Sequence, residues 1–335
     1  MASSTTTVTS APDPSVFGQQ VTFTATVQPE LSGGPVPTGS VDFVVDGVPV
    51  TTVPLDPGGQ AQYTTSDLQV GLHGVEANYS GDAEYDSSVG VDAQQVTLAE
   101  TTTTLTVDPE PSLCGETVTF TAQVTPVPPA AGTPTGAVSF IISDDGPVQT
   151  VPVDQNGQAQ ISISDLAVGT HQAAVFYTGD AAFDASNSPL LLHVVDQAPV
   201  SVTASAVPAA SVCGEPVTVC ATVTAVAPGS GTPSGTATFT GAGLDETVAL
   251  DADGTACVTT TALTTGTVTV TYDGDECYVS ATATLDVTVG QAGSTTSVSV
   301  DPVPSVCGEP VTVCATVTVV APGSGTPSGT VTFTG

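Results

Sequence analysis

Seven cysteines are the residues of this chain best able to do chemistry: Cys114, Cys213, Cys220, Cys257, Cys277, Cys307 and Cys314. Thiolates ligate zinc, attack electrophiles or oxidise to disulfides. Zinc needs closely spaced ligands, and the sequence has no Cys-x-x-Cys and no Cys/His cluster. Nucleophilic catalysis needs a partnered base. The three histidines, His73, His171 and His193, fall into no recurring Ser/His/Asp arrangement, and no Gly-rich phosphate loop opens a helix. Disulfide chemistry is what remains, and no enzymatic activity is expected.

The other reactive groups are carboxylates. The chain carries 33 Asp and Glu and no Lys or Arg. Acids gather at Asp82, Glu84 and Asp86, at Asp180 and Asp184, and at Asp273, Asp275 and Glu276. Their oxygens suit Ca²⁺ at joints between domains, although EF-hand spacing is missing, and no other cofactor is suggested. The missing cations exclude more than the acids suggest. Phosphate neutralisation requires Lys or Arg, so nucleic acid is not a partner. Anionic membrane surfaces are disfavoured for the same reason. Lys–Asn isopeptide cross-links are impossible, and trypsin-like proteases have no site. The acidity itself reads as solubility through self-repulsion, as a cation-binding role, or as protease evasion or high-salt adaptation. No apolar run approaches the roughly 18 residues of a membrane-spanning segment, so no membrane insertion is expected. The start, Met1-Ala2-Ser3-Ser4-Thr5, lacks a signal peptide's basic and apolar regions, so export implies a different natural start or another route.

These residues sit on a repeat. Ser15-Val16-Phe17-Gly18-Gln19-Gln20-Val21-Thr22-Phe23 returns as Ser112-Leu113-Cys114-Gly115-Glu116-Thr117-Val118-Thr119-Phe120, and again from Ser211 and Ser305. The shared glycines, Gly18, Gly115, Gly214 and Gly308, are spaced by 97, 99 and 94 residues. Pro-Thr-Gly or Pro-Ser-Gly follows in every repeat, at Pro37, Pro134, Pro233 and Pro327. Tyr-x-Gly-Asp follows at Tyr79, Tyr177 and Tyr272. Within a repeat the apolar period is two: Val21, Phe23, Ala25 and Val27 alternate with Thr22, Thr24 and Thr26. That is the pattern of a half-buried antiparallel strand. Further strands read at Val41–Val45, Gln60–Thr65, Val75–Tyr79 and Ala93–Leu98, and no stretch has a helical period. The fold class expected is all-β, with tandem immunoglobulin-like seven-stranded sandwiches arranged head to tail and all strands antiparallel. The domains expected are 1–99, 100–197 and 198–292, followed by an incomplete fourth, 293–335, holding its first three strands.

The ordered motifs Ser-Val-x-Gly-x-x-Val-Thr-Phe, Pro-Thr-Gly-x-Val-x-Phe, Val-Gly-x-His and Tyr-x-Gly-Asp-Ala-x-Phe/Tyr resemble bacterial Ig-like domain repeats over essentially the whole chain. The resemblance implies secreted or surface-attached proteins and leaves the ligand open, since adhesins, spacers and fibre subunits share these domains. The missing basic residues and the added cysteines depart from that family.

Laid on this fold, the cysteines pair. Cys220 lies on the outer face of the second long strand and Cys257 on the outer face of its sheet neighbour, which predicts a cross-strand Cys220–Cys257 disulfide. Cys114 lies in a turn at one end of the second domain and Cys277 in a loop at the facing end of the third, which predicts an interdomain Cys114–Cys277 disulfide. At the first joint Phe17 and Phe183 take the corresponding places. Cys213, Cys307 and Cys314 are left with partners outside the chain, either in a continuation or in another copy. Reduced thiols in a cytosolic protein are the rival reading. His73 and His171 read as turn residues before a strand, and His193 as isolated on a terminal strand. The sequon Asn78-Tyr79-Ser80 ends a strand, and the exposed Thr and Ser rows are open to O-glycans. The function expected is a structural segment of an extracellular or cell-surface filament, fibre or stalk, partnered by other copies of itself or by further Ig-like repeats. An adhesin gripping a glycan or protein receptor is the alternative, and a spacer to an enzyme outside the sequence is a third.

Overall fold

β-branched Thr and Val suit a pleated surface, and their alternation sends Val inward and Thr to water. The computed structural model describes residues 1–143 and 148–335, and every regular element among the described residues is a strand. The chain gathers into two compact units, one of residues 1–110, 118–163 and 171–193, the other of residues 111–117, 164–170 and 194–335.

The first sandwich comprises β1 (Ser4–Ala11), β2 (Ser15–Val16), β3 (Val21–Pro29), β4 (Ser40–Val45), β5 (Val48–Pro54), β6 (Gln60–Thr65), β7 (Gly71–Tyr79) and β8 (Ser88–Thr97). One sheet has the order β1-β3-β6 and the other β2-β8-β7-β4-β5. Between them lie Val21, Phe23, Ala25, Val27, Val41, Phe43, Val75, Ala77 and Tyr79, all at or below 2% exposure. The second sandwich repeats this plan with β9 (Thr101–Asp108), β10 (Ser112–Leu113), β11 (Val118–Pro126), β12 (Ala137–Ile142), β13 (Gln149–Pro152), β14 (Gln158–Ile163), β15 (Gly169–Tyr177), β16 (Ser186–Asn187) and β17 (Leu191–Asp196). Its sheets run β14-β11-β9 and β10-β17-β15-β12-β13, with β16 beside β15.

The second unit contains the third sandwich: β18 (Val200–Val207), β19 (Ala210–Val212), β20 (Val217–Ala225), β21 (Thr236–Gly241), β22 (Leu244–Ala249), β23 (Thr255–Thr260), β24 (Gly266–Tyr272) and β25 (Ala281–Gly290). Its sheets are β18-β20-β23 and β19-β25-β24-β21-β22. A final antiparallel pair, β26 (Ser294–Asp301) and β27 (Thr312–Val319), follows.

Three features depart from the sequence reading. The strands are not all antiparallel: β2, β10 and β19 run parallel to β8, β17 and β25. The first strand of each sandwich breaks at a proline-bearing segment such as Ala11-Pro12-Asp13-Pro14, and the chain resumes on the opposite sheet beside its last long strand. Proline cannot donate to a ladder, so the break falls there. Second, β5 pairs with β4 through a tight turn at Asp46 and Gly47, with φ of 51° and 76°. Two successive positive φ values make a hairpin turn whose twist matches the strands, which carries β5 into the β4 sheet. Third, residues 293–335 hold two strands, not three, and residues 320–335 are irregular.

Phe23 has no exposure, lies in the core between the sheets and stacks on Tyr63 of the neighbouring strand β6 with ring centroids 6.0 Å apart. Phe23→Ala should destabilise the first sandwich by about 3–5 kcal/mol, whereas Gln62→Ala on the exposed face of β6 should stay within about 0.5 kcal/mol; denaturant titration of both variants checks the contrast.

Candidate functional site

The Pro-Thr/Ser-Gly and Tyr-x-Gly-Asp markers of each complete repeat meet in space. In the first sandwich the Thr38 N–H and hydroxyl both donate to Asp82 Oδ2 at 2.8 Å, and the Glu84 and Tyr85 N–H groups both donate to Oδ1 at 2.8 Å. In the second, Thr135 N–H and hydroxyl donate to Asp180 Oδ2, and Ala182 and Phe183 N–H donate to Oδ1. In the third, Ser234 plays the part of Thr38, Asp275 that of Asp82, and Cys277 and Tyr278 supply the N–H pair at 2.8 Å. One carboxylate thus ties the loop before β4, β12 or β21 to the loop before β8, β16 or β25. The Thr38 N–H and then its hydroxyl hold Asp82 well below the usual carboxylate range. At Asp180 and Asp275 burial works upward, but the Thr135 and Ser234 hydroxyls and the backbone N–H groups outweigh it, so both also lie low. Burial first, and the Asp82 charge second, push the Tyr79 phenol up to about 12.

This clip changes the meaning of the acidic loops. Asp82 and Asp275 direct their oxygens to backbone and hydroxyl donors, and Asp273 accepts from the Thr236 hydroxyl at 2.8 Å. Glu84, Asp86 and Glu276 are exposed neighbours. No group of three or more His, Cys, Asp or Glu among the described residues could hold a metal ion.

The clipped end receives a turn from the preceding repeat. Within the first unit, the Phe17 ring meets the Phe183 ring edge-on at 5.4 Å, and a Cβ on Gly18 would strike the Ala131 backbone. Ala99 N–H donates to the Ala182 carbonyl at 2.9 Å, and Asp184 N–H donates to the Ala99 carbonyl at 2.8 Å. Within the second unit, Cys114 is bonded to Cys277 with Cα atoms 5.5 Å apart. Gly115 abuts Ser230, whose hydroxyl donates to the Gly115 carbonyl, and Ala198 N–H donates to the Cys277 carbonyl at 2.9 Å. The same turn recurs at Cys213-Gly214, where the Ser324 N–H donates to the Cys213 carbonyl at 3.3 Å. Glycine is required because φ is +75° at Gly18, +76° at Gly115 and +77° at Gly214, and the next backbone lies against it. The second disulfide, Cys220–Cys257, joins residues directly opposite on β20 and β23, with Cα atoms 4.1 Å apart. Cys213, Cys307 and Cys314 are exposed free thiols.

The histidines lie elsewhere than the sequence suggests. His73 and His171 are not turn residues: they lie in β7 and β15. His73 Nδ1 is 2.7 Å from Asp46 Oδ2 and its Nε2 is 2.7 Å from the Gln69 carbonyl. Burial draws its pKa down, but the Gln69 carbonyl and Asp46 outweigh that and the net shift is upward. His193 is not isolated either: it is fully buried, paired with Glu110 and edge-on to Phe120 at 5.9 Å. Its counterpart in the first sandwich is buried Gln94, which donates to the Pro12 carbonyl and Ser15 hydroxyl, both at 3.1 Å. Both side chains fill the gap left where the first strand breaks.

Paired sheets repeated along the chain define a tandem array of immunoglobulin-like sandwiches. Residues 8–99, 105–195 and 202–290 each match the bacterial Ig-like domain (group 3), and the chain belongs to that family. No curated protein matches it. Among solved structures the chain is similar to a 1.5-MDa bacterial ice-binding adhesin, with 19% identity over 85% of this chain and 98% of that one and a TM-score of 0.27. It is also similar to invasin, a bacterial integrin-binding protein, with 16% identity over 85% of this chain and 60% of that one and a TM-score of 0.46. The Escherichia coli adhesin FdeC aligns with 14% identity over 85% of this chain and 96% of that one, at a TM-score of 0.25. These likenesses concern the fold alone. No helix among the described residues is long and apolar enough to cross a membrane.

Because the clip aspartates have lowered folded-state pKa values, their stabilisation is present above the unfolded value of about 4 and is lost as pH falls through the folded values. Stability should therefore decline below about pH 4, and Asp180→Asn should flatten that decline in denaturant titrations run across pH. Excess chelator should leave the melting temperature unchanged at neutral pH, as calorimetry with and without EDTA will read.

Proposed function

We propose that the chain is a structural segment of an extracellular surface protein, a stalk or filament element whose repeats are latched at their joints. The observation that carries this reading is the Cys114–Cys277 bond, which spans 163 residues and seals a turn of one repeat onto the clipped loop of the next. Chain-entropy arithmetic puts a closure of that length near 5 kcal/mol, against about 4 kcal/mol for the 37-residue Cys220–Cys257 loop. A bond so placed opposes separation of neighbours and leaves each core untouched. Disulfides persist in oxidising compartments, which supports an extracellular location. The lack of Lys and Arg supports it too, since a chain exposed to secreted proteases presents no tryptic site.

An adhesive role is favoured by a different observation. Ile141, Phe176 and Leu192, 40–57% exposed, lie on the outward face of the β17-β15-β12 sheet of the second sandwich, and Leu190, 62% exposed, directly precedes β17. The matching outward positions in the third sandwich are Thr240, Thr271, Thr284 and Asp286. An apolar face of that kind suits a protein or glycan receptor.

Non-reducing digestion with a Glu- or Asp-specific protease, followed by mass spectrometry, tests the latch. A linked peptide pair containing Cys114 and Cys277 is expected, and recovery of those cysteines as free thiols would overturn the reading. The double variant Cys114→Ser/Cys277→Ser should become more susceptible to cleavage between residues 111 and 199 while its β-sheet circular dichroism stays native.

A further inference from the structure

We infer that the groove at the first joint is a docking site for an arginine side chain carried by a partner protein. A cavity of about 460 Å³ opens there, within the first unit. Val16 and Asp184, the sequence neighbours of Phe17 and Phe183, both line it. Leu98, Val127, Pro128 and Pro129 give it apolar walls, and Glu100 and Asp184 give it two carboxylates. Leu98 is 37% exposed, and both acids are exposed. The groove is separate from the apolar sheet face of the second sandwich and asks for a different chemistry.

The backbone that carries the two acids is fixed. Asp184 N–H donates to the Ala99 carbonyl at 2.8 Å, and Val127 N–H donates to the Glu100 carbonyl at 2.9 Å. The Thr101 hydroxyl donates to the Asp184 carbonyl at 2.8 Å. Their side chains are used differently from that of Asp180, whose two oxygens take four donors. The ion pairs among the described residues are His73–Asp46 and His193–Glu110, so neither Glu100 nor Asp184 has one. The chain has no Lys or Arg to offer them. A preset site of this kind sacrifices little conformational freedom on binding.

The same backbone recurs at the next joint without the carboxylates. Val279 N–H donates to the Ala198 carbonyl at 3.1 Å, so Val279 stands where Asp184 does. Val226 N–H donates to the Pro199 carbonyl at 2.9 Å, so Pro199 stands where Glu100 does. That joint is closed by Cys114–Cys277 instead. Joint building therefore does not require the two acids, and the fold alone does not account for them.

Charge and walls together select the occupant. A chain of formal charge −33 repels anions and other copies of itself and draws in basic segments. Ca²⁺ needs many oxygen ligands, and a groove walled by leucine, valine and proline supplies few. An arginine side chain lays its methylene stem along apolar surface and keeps its charge at the rim. Its guanidinium is planar and weakly hydrated, with N–H groups on separate edges to meet separate carboxylates. Once seated, it would touch Val16 and Leu98 at the end of the first sandwich and Val127 and Pro128 of the second. The partner would thus fasten by charge a joint that has no disulfide.

The test titrates the whole chain, at low salt, with the peptide acetyl-Gly-Gly-Arg-Gly-Gly-amide and with its citrulline counterpart, an uncharged isostere. In methyl NMR spectra the Val16, Leu98 and Val127 signals should shift and saturate with the arginine peptide, in the millimolar range of one exposed ion-paired side chain. The citrulline peptide should bind at least about tenfold more weakly, and added salt should weaken the arginine peptide. Glu100→Gln/Asp184→Asn should weaken binding by about tenfold with the melting temperature unchanged, whereas Glu76→Gln/Glu246→Gln, which removes as much charge from exposed strand positions, should bind as the unmodified chain does. Shifts scattered over the acidic surface without saturation, equal binding of the citrulline peptide, or an equal loss in the Glu76/Glu246 variant would overturn the proposal. So would agmatine binding about tenfold more tightly than the peptide, which would make the occupant a small amine rather than a protein side chain.

Discussion

Each sandwich is organised at one end by a single aspartate with four donors. Both oxygens of Asp82, Asp180 or Asp275 are taken by backbone and hydroxyl groups from two loops far apart in sequence. Hydrogen bonds to a charged acceptor are stronger than neutral ones, and four together fix both loops at once. The N–H groups that cap Oδ1 belong to the residues that make the joint: Phe183 receives Phe17, and Cys277 bonds Cys114. The carboxylate therefore positions the latch while remaining outside it.

A chain without Lys or Arg has few other ways to satisfy its acids. The only side chains able to form ion pairs with them among the described residues are histidines, in His73–Asp46 and His193–Glu110. Elsewhere the carboxylates bond to turns and hydroxyls, as Asp56, Asp154 and Asp251 do in capping the turns before β6, β14 and β23. Such bonds are local and survive salt, whereas the long-range field of 33 negative charges does not. Local order and global repulsion are thus separable in this molecule.

The strands were legible because burial follows the alternation residue by residue: Val21, Phe23, Ala25 and Val27 are buried, and Thr22, Thr24 and Thr26 are less so. Short pieces that break a long strand's rhythm were not. β2 is two residues long, and its parallel pairing with β8 depends on where the chain lands after Pro12 and Pro14. β5 mixes Val with Pro and Thr without a clear apolar face, because it is an edge strand with mostly exposed side chains. The two halves of the clip were each visible as markers, Pro-Thr-Gly and Tyr-x-Gly-Asp, yet their contact spans 44 residues for Thr38 and Asp82. Only their joint recurrence in every complete repeat hinted at it. His193 misled for a related reason, since its partner Glu110 lies 83 residues away.

The joints share one backbone turn and differ in the pair of side chains that meet there. The turn glycine keeps φ between +75° and +77° at Gly18, Gly115 and Gly214, while the residue before it is Phe17, Cys114 or Cys213. With Phe17 the contact is an edge-on aromatic pair, a reversible attraction worth about 0.5–1.5 kcal/mol beyond area burial. With Cys114 it is covalent and answers to redox state rather than to temperature. With Cys213 the turn meets Ser324 through the backbone and one hydroxyl, and the thiol stays free. A conserved docking geometry thus carries three grades of attachment. It follows that the grade of attachment at each joint is set by one pair of facing positions, such as Phe17 with Phe183 or Cys114 with Cys277, without altering either core.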